Sequence, residues 1–497
     1  GFTGGGINSV TKAGTNDWEA SAYFYKKSPS MQGYRQGDEI ITPSEFKNNQ
    51  WGVSLAGPII KNKLFFFING EIERQEEPIY YTTANSRVSA DDLNDLSNFL
   101  QTELGYNPGK FDLTSTPVKA TRLTARLDWN MTKRSTLSVK YYFLNSSSMS
   151  NPSTSGAPKN GRGPNEYAIP FSSAFYRQYN NFNIVMADLN TNFNEHISNT
   201  LTVGFSGLRD YRETDGGFFP QVDILCNDAS ESYTVFGTEA NSYNNRLNSN
   251  IFQIQDNLTM SYGKHQITVG TQSDYRSFKN GFAQNYPGAW VFNSIDDFKF
   301  NVLASKDYMA AHNGSMDGFD ITAYDPTDYG FASTVTGITN SASTGYKYYS
   351  QKYSMSDEFP YARLNVLQLG FYAQDKWRVS NNFTLTYGLR FDIPIFMTDL
   401  QENPAVAAET YRDGIKVDVS QYPKTRVLVS PRIGFNWKPL ENGSLQIRGG
   451  SGLFAGTPPY VWLSNQAGNN GMLFGDLNIS GDDLKHLGFT GNINQYK

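Results

Sequence analysis

Residues 382–392 read NFTLTYGLRFD. Phe383, Leu385, Tyr387, Leu389 and Phe391 share one parity; Thr384, Thr386, Gly388, Arg390 and Asp392 share the other. Side chains alternate across a strand, so this stretch reads as a strand with one apolar and one polar face. The pattern returns at 122–130, where Leu123, Ala125, Leu127 and Trp129 oppose Arg122, Thr124, Arg126, Asp128 and Asn130. It returns again at 136–143, 432–437 and 444–448.

The strands come in pairs. Tight turns rich in Asn, Gly, Ser, Pro or Lys are predicted near 58–62, 131–134, 194–198, 262–265, 380–382 and 439–443. The remaining connections are long: 27–45, 78–121, 146–177, 213–249, 281–361, 395–425 and 457–497. Short and long connections therefore alternate. A compact soluble domain rarely carries so many long loops. A membrane β-barrel does, with short turns on one side and long loops on the other. The expected fold is all-β: a transmembrane antiparallel β-barrel.

Composition allows that reading and a loop-rich soluble β protein alike. The 497 residues are 18% charged and 14% aromatic, with 31 Tyr, 34 Phe and 44 Gly. Mean hydropathy is −0.51, and the longest strongly apolar run, 64–68, is far short of the roughly 20 residues of a spanning helix. A net charge of −5 gives no footprint for nucleic acid. The single cysteine, Cys226, forms no internal disulfide, and four histidines make a His-rich metal site unlikely on count alone. Trp18, Trp51, Trp129, Trp377 and Trp437 fall near predicted strand ends, as interfacial girdles do. Asp256 and Asp375 fall on apolar faces by parity; a β-bulge or a position at the headgroup boundary is expected there.

The opening GFTGGGINSVTKAGTNDWEASAYFY resembles the end of the plug and the first barrel strand of TonB-dependent outer-membrane transporters. The residues carrying the likeness are Gly4, Gly5, Gly6, Ile7, Asn8, Thr11, Lys12 and Gly14. GVSLAGPIIKNKLFFFINGE (52–71), GFYAQDKWRVSNNFTLTYGLRFD (370–392) and SPRIGFNWKP (430–439) extend it in order along the chain. RGGSGLFAGTPPYVWLSNQAGN (448–469) and AWVFNSIDDFKFN (289–301) look like the Oar-like branch, related to SusC-type proteins. The resemblance implies residues 1–17 as the end of a plug domain and 18–497 as part of a barrel of about 22 strands. About thirteen strands are countable, so the chain reads as the central part of a longer protein.

The family implies energised uptake of a scarce solute (a glycan, peptide or metal chelate) into a bacterial cell across its outer membrane. Implied partners are membrane lipid, a TonB–ExbB–ExbD energising complex and a surface lipoprotein or other outer-membrane protein. No enzyme is expected: there is no His-Glu-x-x-His motif, no G-x-S-x-G elbow and no phosphate loop opening a helix. Ligand contacts are expected in the long loops, at Trp290, Tyr308, Tyr324, Asp325, Tyr329, Tyr346, Tyr348 and Trp462, each weighed against simple loop packing. Arg122, Arg126, Arg390, Arg432 and Arg448 are expected to face the lumen. No cofactor is expected; Asp317, Asp320, Asp325 and Asp328 are weak calcium candidates without EF-hand spacing. Residues 89–109 read as a short amphipathic helix capped by Ser89 or Asp91, with Leu93, Leu96, Leu100 and Leu104 on one face. The alternatives are a passive porin or scaffold for surface-protein export or assembly, and a soluble β-rich adhesin.

Overall fold

The computed structural model describes residues 10–40, 46–226, 231–338, 348–440 and 444–496, without the side chains of Gln36 and Tyr348. The chain starts its main sheet at β1 (Glu19–Lys27), forms a small ribbon of β2 (Arg35–Gln36) and β3 (Glu39–Ile40), and returns as the hairpin β4 (Lys47–Ile60)–β5 (Leu64–Pro78). Helix α1 (Ala90–Leu104) precedes the hairpin β6 (Ser115–Asn130)–β7 (Ser135–Ser150). The hairpin β8 (Tyr176–Asn192)–β9 (Ile197–Thr214) leads to two short strands, β10 (Gln221–Leu225) and β11 (Ser232–Phe236). The hairpin β12 (Arg246–Tyr262)–β13 (His265–Gly281) is followed by β14 (Ala289–Phe292), α2 (Ile295–Ala311) and β15 (Tyr348–Ser354). After the hairpin β16 (Ala362–Arg378)–β17 (Phe383–Phe396) come α3 (Pro404–Ala408), β18 (Leu428–Trp437), β19 (Ile447–Gly452), α4 (Tyr460–Gly468) and β20 (Phe474–Ser480).

Thirteen of these strands form one sheet, ordered β1-β4-β5-β6-β7-β8-β9-β12-β13-β16-β17-β18-β19, every neighbour antiparallel. The sheet is open: among the described residues, β1 pairs only with β4, and β19 only with β18. The turns explain the sharp reversals. Gly263 supplies the positive φ of a two-residue loop between Tyr262 and His265. Asn194 accepts the main-chain N–H groups of His196 and Ile197, closing the β8–β9 turn.

One face of the sheet carries exposed Val53, Leu55, Ile68, Leu127, Phe205, Phe252, Phe371 and Ile433. The other carries charge, and residues 10–16 and helix α4 lie against it. We call these the outer and inner faces. Trp18, Trp129, Trp377 and Trp437 lie at the tight-turn end of the outer face, and Trp51 toward the opposite end. This is the expected girdle arrangement.

The bulge expected at Asp256 and Asp375 is absent. Pairing is in one register through both positions, with Asp256 opposite Leu201 and Thr271, and Asp375 opposite Ile267 and Tyr387. Both carboxylates therefore do face outward and meet polar neighbours on the same face, although Asp375 Oδ1 is buried without a hydrogen-bond partner. Asn199 donates to Asp256 at 2.6 Å. Tyr387 donates its hydroxyl to Asp375 at 2.9 Å, and His265 Nδ1 lies 2.7 Å from the same oxygen.

The excursions 78–121, 146–177, 213–249, 281–361 and 457–497 together build a folded cap. Strands β11-β10-β14-β15-β20 make a second, five-stranded sheet from segments far apart in sequence. Leu93, Leu96 and Leu100 of α1 are fully buried against Phe236, Phe298 and Phe489. Ser89 accepts the N–H of Asp92 at one end of α1, and Gly105 at φ +62° ends it. The amphipathic helix expected within 89–109 is thus present as Ala90–Leu104, with 105–109 outside it. Helix α2 stands where the sequence predicts a long connection, and it is buried on two sides: Phe298 and Val302 join one core, Phe300 and Ala304 another. Such a helix shows no single apolar stripe.

Candidate functional site

The inner face is a field of charges held in pairs. Arg122 bonds Glu71 at 2.5 Å and Glu73 at 2.9 Å. Lys140 bonds Asp188 at 2.7 Å, Arg126 bonds Asp128 at 2.7 Å, and Arg390 bonds Asp392 at 2.8 Å. Shared parity places them on one face: Arg122 stands directly opposite Glu71, Glu73 and Asp188 are diagonal neighbours of Arg122 and Lys140 respectively, and Arg126–Asp128 and Arg390–Asp392 are two residues apart on one strand. The result is a polar wall with little uncompensated charge along these pairs.

Residues 10–16 are tied to that wall. Arg126 donates to the main-chain oxygen of Thr11 at 2.5 Å, and the Thr11 and Tyr142 hydroxyls lie 2.5 Å apart. Asn16 and Asn62 exchange two bonds at 2.6 and 2.7 Å beside the β4–β5 turn. Gly14 runs so close to the sheet that a Cβ there would stand 2.3 Å from the Phe66 carbonyl oxygen; only glycine fits. Lys12 pairs with Glu19 on the exposed side. Gly4, Gly5, Gly6, Ile7 and Asn8 lie outside the described residues.

Arg122, Arg126 and Arg390 lie on the charged face, the one that residues 10–16 meet. Arg432 and Arg448 share the inner parity, opposite Gly452 and Asn436 respectively, and Arg432 sits over the Phe454 ring at 4.9 Å. The loop residues divide. Trp290 is a correction: it is 6% exposed, between Phe292, Tyr349 and Phe489, and serves the cap core rather than a ligand. Tyr308 stacks on His312, and Tyr329 donates to Asp307 at 2.8 Å; with Tyr324 both pack partly buried on the second core. Burial raises the Tyr329 hydroxyl well above its usual range, with Asp307 adding to it. Trp462 is 67% exposed on α4, whose Leu463 packs on Leu364 and Val366 of the wall. Tyr346, and the side chain of Tyr348, lie outside the described residues.

The four aspartates do not converge. Asp320 accepts from Thr322 and Asp325 from Thr327, each capping a single turn. Those bonds hold both carboxyls below the usual range. Among the described residues, no group of three or more His, Cys, Asp or Glu side chains is placed to hold a metal ion.

Sequence reasoning missed a crevice of about 330 Å³ between α1 and α2, lined by Asp92, Asp95, Asp296, Lys299 and Tyr233. Lys299 pairs with Asp95 across it, and Tyr233 donates to Asp92 at 2.6 Å. Burial, helped by Asp92, pushes the Tyr233 hydroxyl up to about 12. It also missed Arg162, buried in the cap and forked onto Asp223 at 2.8 and 2.9 Å. One signal was available: Ser294-Ile295-Asp296-Asp297 is a cap sequence, and Ser294 accepts the Asp297 N–H at 2.9 Å.

A family model described as outer membrane beta barrel domain matches residues 10–110 and 85–482. A stretch of 71 residues is 35% identical to a protein named TonB-dependent transporter Oar from Myxococcus xanthus, covering 13% of this chain and 7% of that one. Among solved structures, the outer membrane transporter YddB from Escherichia coli aligns with a TM-score of 0.46 and 13% identity, over 88% of this chain and 43% of that one. The siderophore receptor PirA from Acinetobacter baumannii aligns with a TM-score of 0.42 and 14% identity, over 87% and 42%. The chain spans less than half the length of these relatives.

Proposed function

The chain belongs to the outer membrane beta barrel domain family, and from that premise we propose that it is the wall and cap of a TonB-dependent transporter or receptor. It sits in the bacterial outer membrane. Residues 1–17 are the end of a plug, and the energising complex acts on the protein through that plug. The observation that carries this reading is the hold of Arg126 and Tyr142 on Thr11: a segment inside the wall is fixed by a few polar bonds rather than by a core. Polar bonds of this kind exchange for water at modest net cost, so the segment is able to release. The 71-residue likeness to a TonB-dependent transporter supports it.

The solute is a glycan, peptide or metal chelate, met first by the cap crevice and by exposed Trp462. Aromatic faces and paired carboxylates suit a polar solute with apolar patches. The cap's own buried core favours one second reading, a scaffold that assembles surface proteins.

Uptake of labelled oligosaccharides, peptides and ferric chelates separates the two readings. It is measured in cells carrying the full-length protein, with and without a Thr11→Cys/Tyr142→Cys tether. Transport predicts uptake that stops when the tether is oxidised, returns on reduction, and needs the inner-membrane proton gradient. Uptake of none of the three classes, or uptake indifferent to both tether and gradient, overturns it.

A further inference from the structure

On the outer face, chemistry changes with height in rows fixed by strand register. Val185, Phe205, Phe252, Tyr275 and Leu367 lie side by side on β8, β9, β12, β13 and β16. Two residues further toward the cap, the same strands carry Asn183, Gly207, Asn250, Ser277 and Asn365. Two residues further still, they carry Asn181, Arg209, Asn248, Lys279 and Arg363. Apolar, uncharged polar and cationic rows follow in order, as lipid tail gives way to headgroup. An outward apolar band of about 25 Å is what a bilayer of this kind demands.

The cationic row lacks the compensation found inside. Lys279 and Arg363 stand directly opposite each other, an unfavourable like-charge pair. Arg246, one step above, closes over Tyr361 with Lys279: its guanidinium is 5.5 Å, and the ammonium 3.9 Å, from the ring centre. Arg246 Nε is enclosed and without a hydrogen-bond partner. Among the described residues, none of Arg209, Arg246, Lys279 and Arg363 lies within 4.0 Å of a carboxylate oxygen. Arg209 donates only to neutral oxygens, including Asn250 at 2.8 Å. Beside them opens a groove of about 440 Å³, lined by Arg209, Tyr211, Glu213, Arg246 and Asn248. Glu213 is the opposing charge within it, so the site is not purely basic.

We propose that this row binds the phosphorylated headgroup of an outer-leaflet lipid, the phosphate bridging Lys279 and Arg363 while acyl chains lie on the apolar rows below. Oxyanions of phosphate satisfy several cations at once by charge-assisted bonds, and this would relieve the like-charge pair. The proposal rests on the barrel's place in the outer membrane and is independent of transport.

The test uses detergent-purified full-length protein and bisphosphorylated lipid A, with bound lipid read by native mass spectrometry. Lys279→Gln/Arg363→Gln is expected to weaken retention roughly tenfold or more, from two lost cations near the surface. Arg432→Gln, on the inner face, is expected to leave it unchanged. Dephosphorylated lipid A is expected to bind wild type and double variant alike. Folding of each variant is checked by heat-modifiable migration in gels. If the double variant does not fold, the charge-keeping pair Lys279→Arg/Arg363→Lys and the salt dependence of wild type decide: retention in the first and release by roughly 0.5 M salt in the second are expected. Equal retention by wild type and the neutral variant, salt-indifferent binding, or complete displacement by equimolar inorganic phosphate overturns the proposal.

Discussion

Arg126 and Thr11 lie 115 residues apart, and the guanidinium of the first donates to the main-chain oxygen of the second at 2.5 Å. The same guanidinium is forked onto Asp128. Asp128 also accepts from Ser138 on the next strand. The donor that holds the inner segment is thus itself fixed by the wall.

Removing that donor should free the segment without harming the barrel. Arg126→Ala is expected to lower amide-exchange protection across residues 10–16 by about tenfold or more, since a hydrogen bond from a charged group contributes roughly 1.5–3 kcal/mol. Arg432→Ala, which has no bond to the segment, should leave protection unchanged. Unchanged exchange in Arg126→Ala would show that the segment is held elsewhere.

Two tryptophans should behave oppositely. Trp290→Ala opens a cavity in the cap core and is expected to cost roughly 3–5 kcal/mol. Trp462→Ala removes an exposed ring and should stay within about 0.5 kcal/mol. Denaturant titration followed by near-ultraviolet circular dichroism reads both. Similar losses in the two variants would contradict the burial difference.

Arg162 and Asp223 are 4% and 3% exposed, so neither charge has water to fall back on. Asp223→Ala strands the guanidinium, with an expected cost of about 3–5 kcal/mol. The double replacement Arg162→Met/Asp223→Leu should recover much of it, because a buried apolar pair has no desolvation penalty. Protease resistance of the cap is the measurement. No recovery in the double variant would mean that the carbonyl groups of Ser153, Ser155 and Gly156, which Arg162 also binds, matter more.

Acid should loosen the tie between residues 87, 159 and 231. Arg87 and Lys159 hold the Glu231 carboxyl below its usual range. A depressed folded value means that the contribution is present above the ordinary carboxylate value, about 4.3, and lost as pH falls through the folded one. Cap protease sensitivity should therefore rise on acidification in wild type, and rise less in Glu231→Gln. Parallel profiles for the two proteins would remove Glu231 from the account.

The strands of the wall were determined by the sequence itself. Parity depends only on which residues are two apart, so 382–392 and 122–130 gave their two faces, and with them which arginines share the polar one, before any partner strand was known. Short turns were legible for the same local reason, and so was α1, whose leucines fall on one side of a helix with a serine cap. Tertiary structure alone decided the rest. Helix α2 is buried on two sides and carries no stripe to read. Trp290 and Trp462 are the same residue type in long connections, and only packing separates core from surface. The strands of the cap sheet come from separate excursions, and no local pattern says which of them pair. Asp375 looked misplaced because parity describes one strand, whereas its partners, His265 and Tyr387, stand on the two strands either side. The cationic row on the outer face has the same origin. Arg209, Lys279 and Arg363 are scattered along the chain, and only the register of four strands brings them to one height.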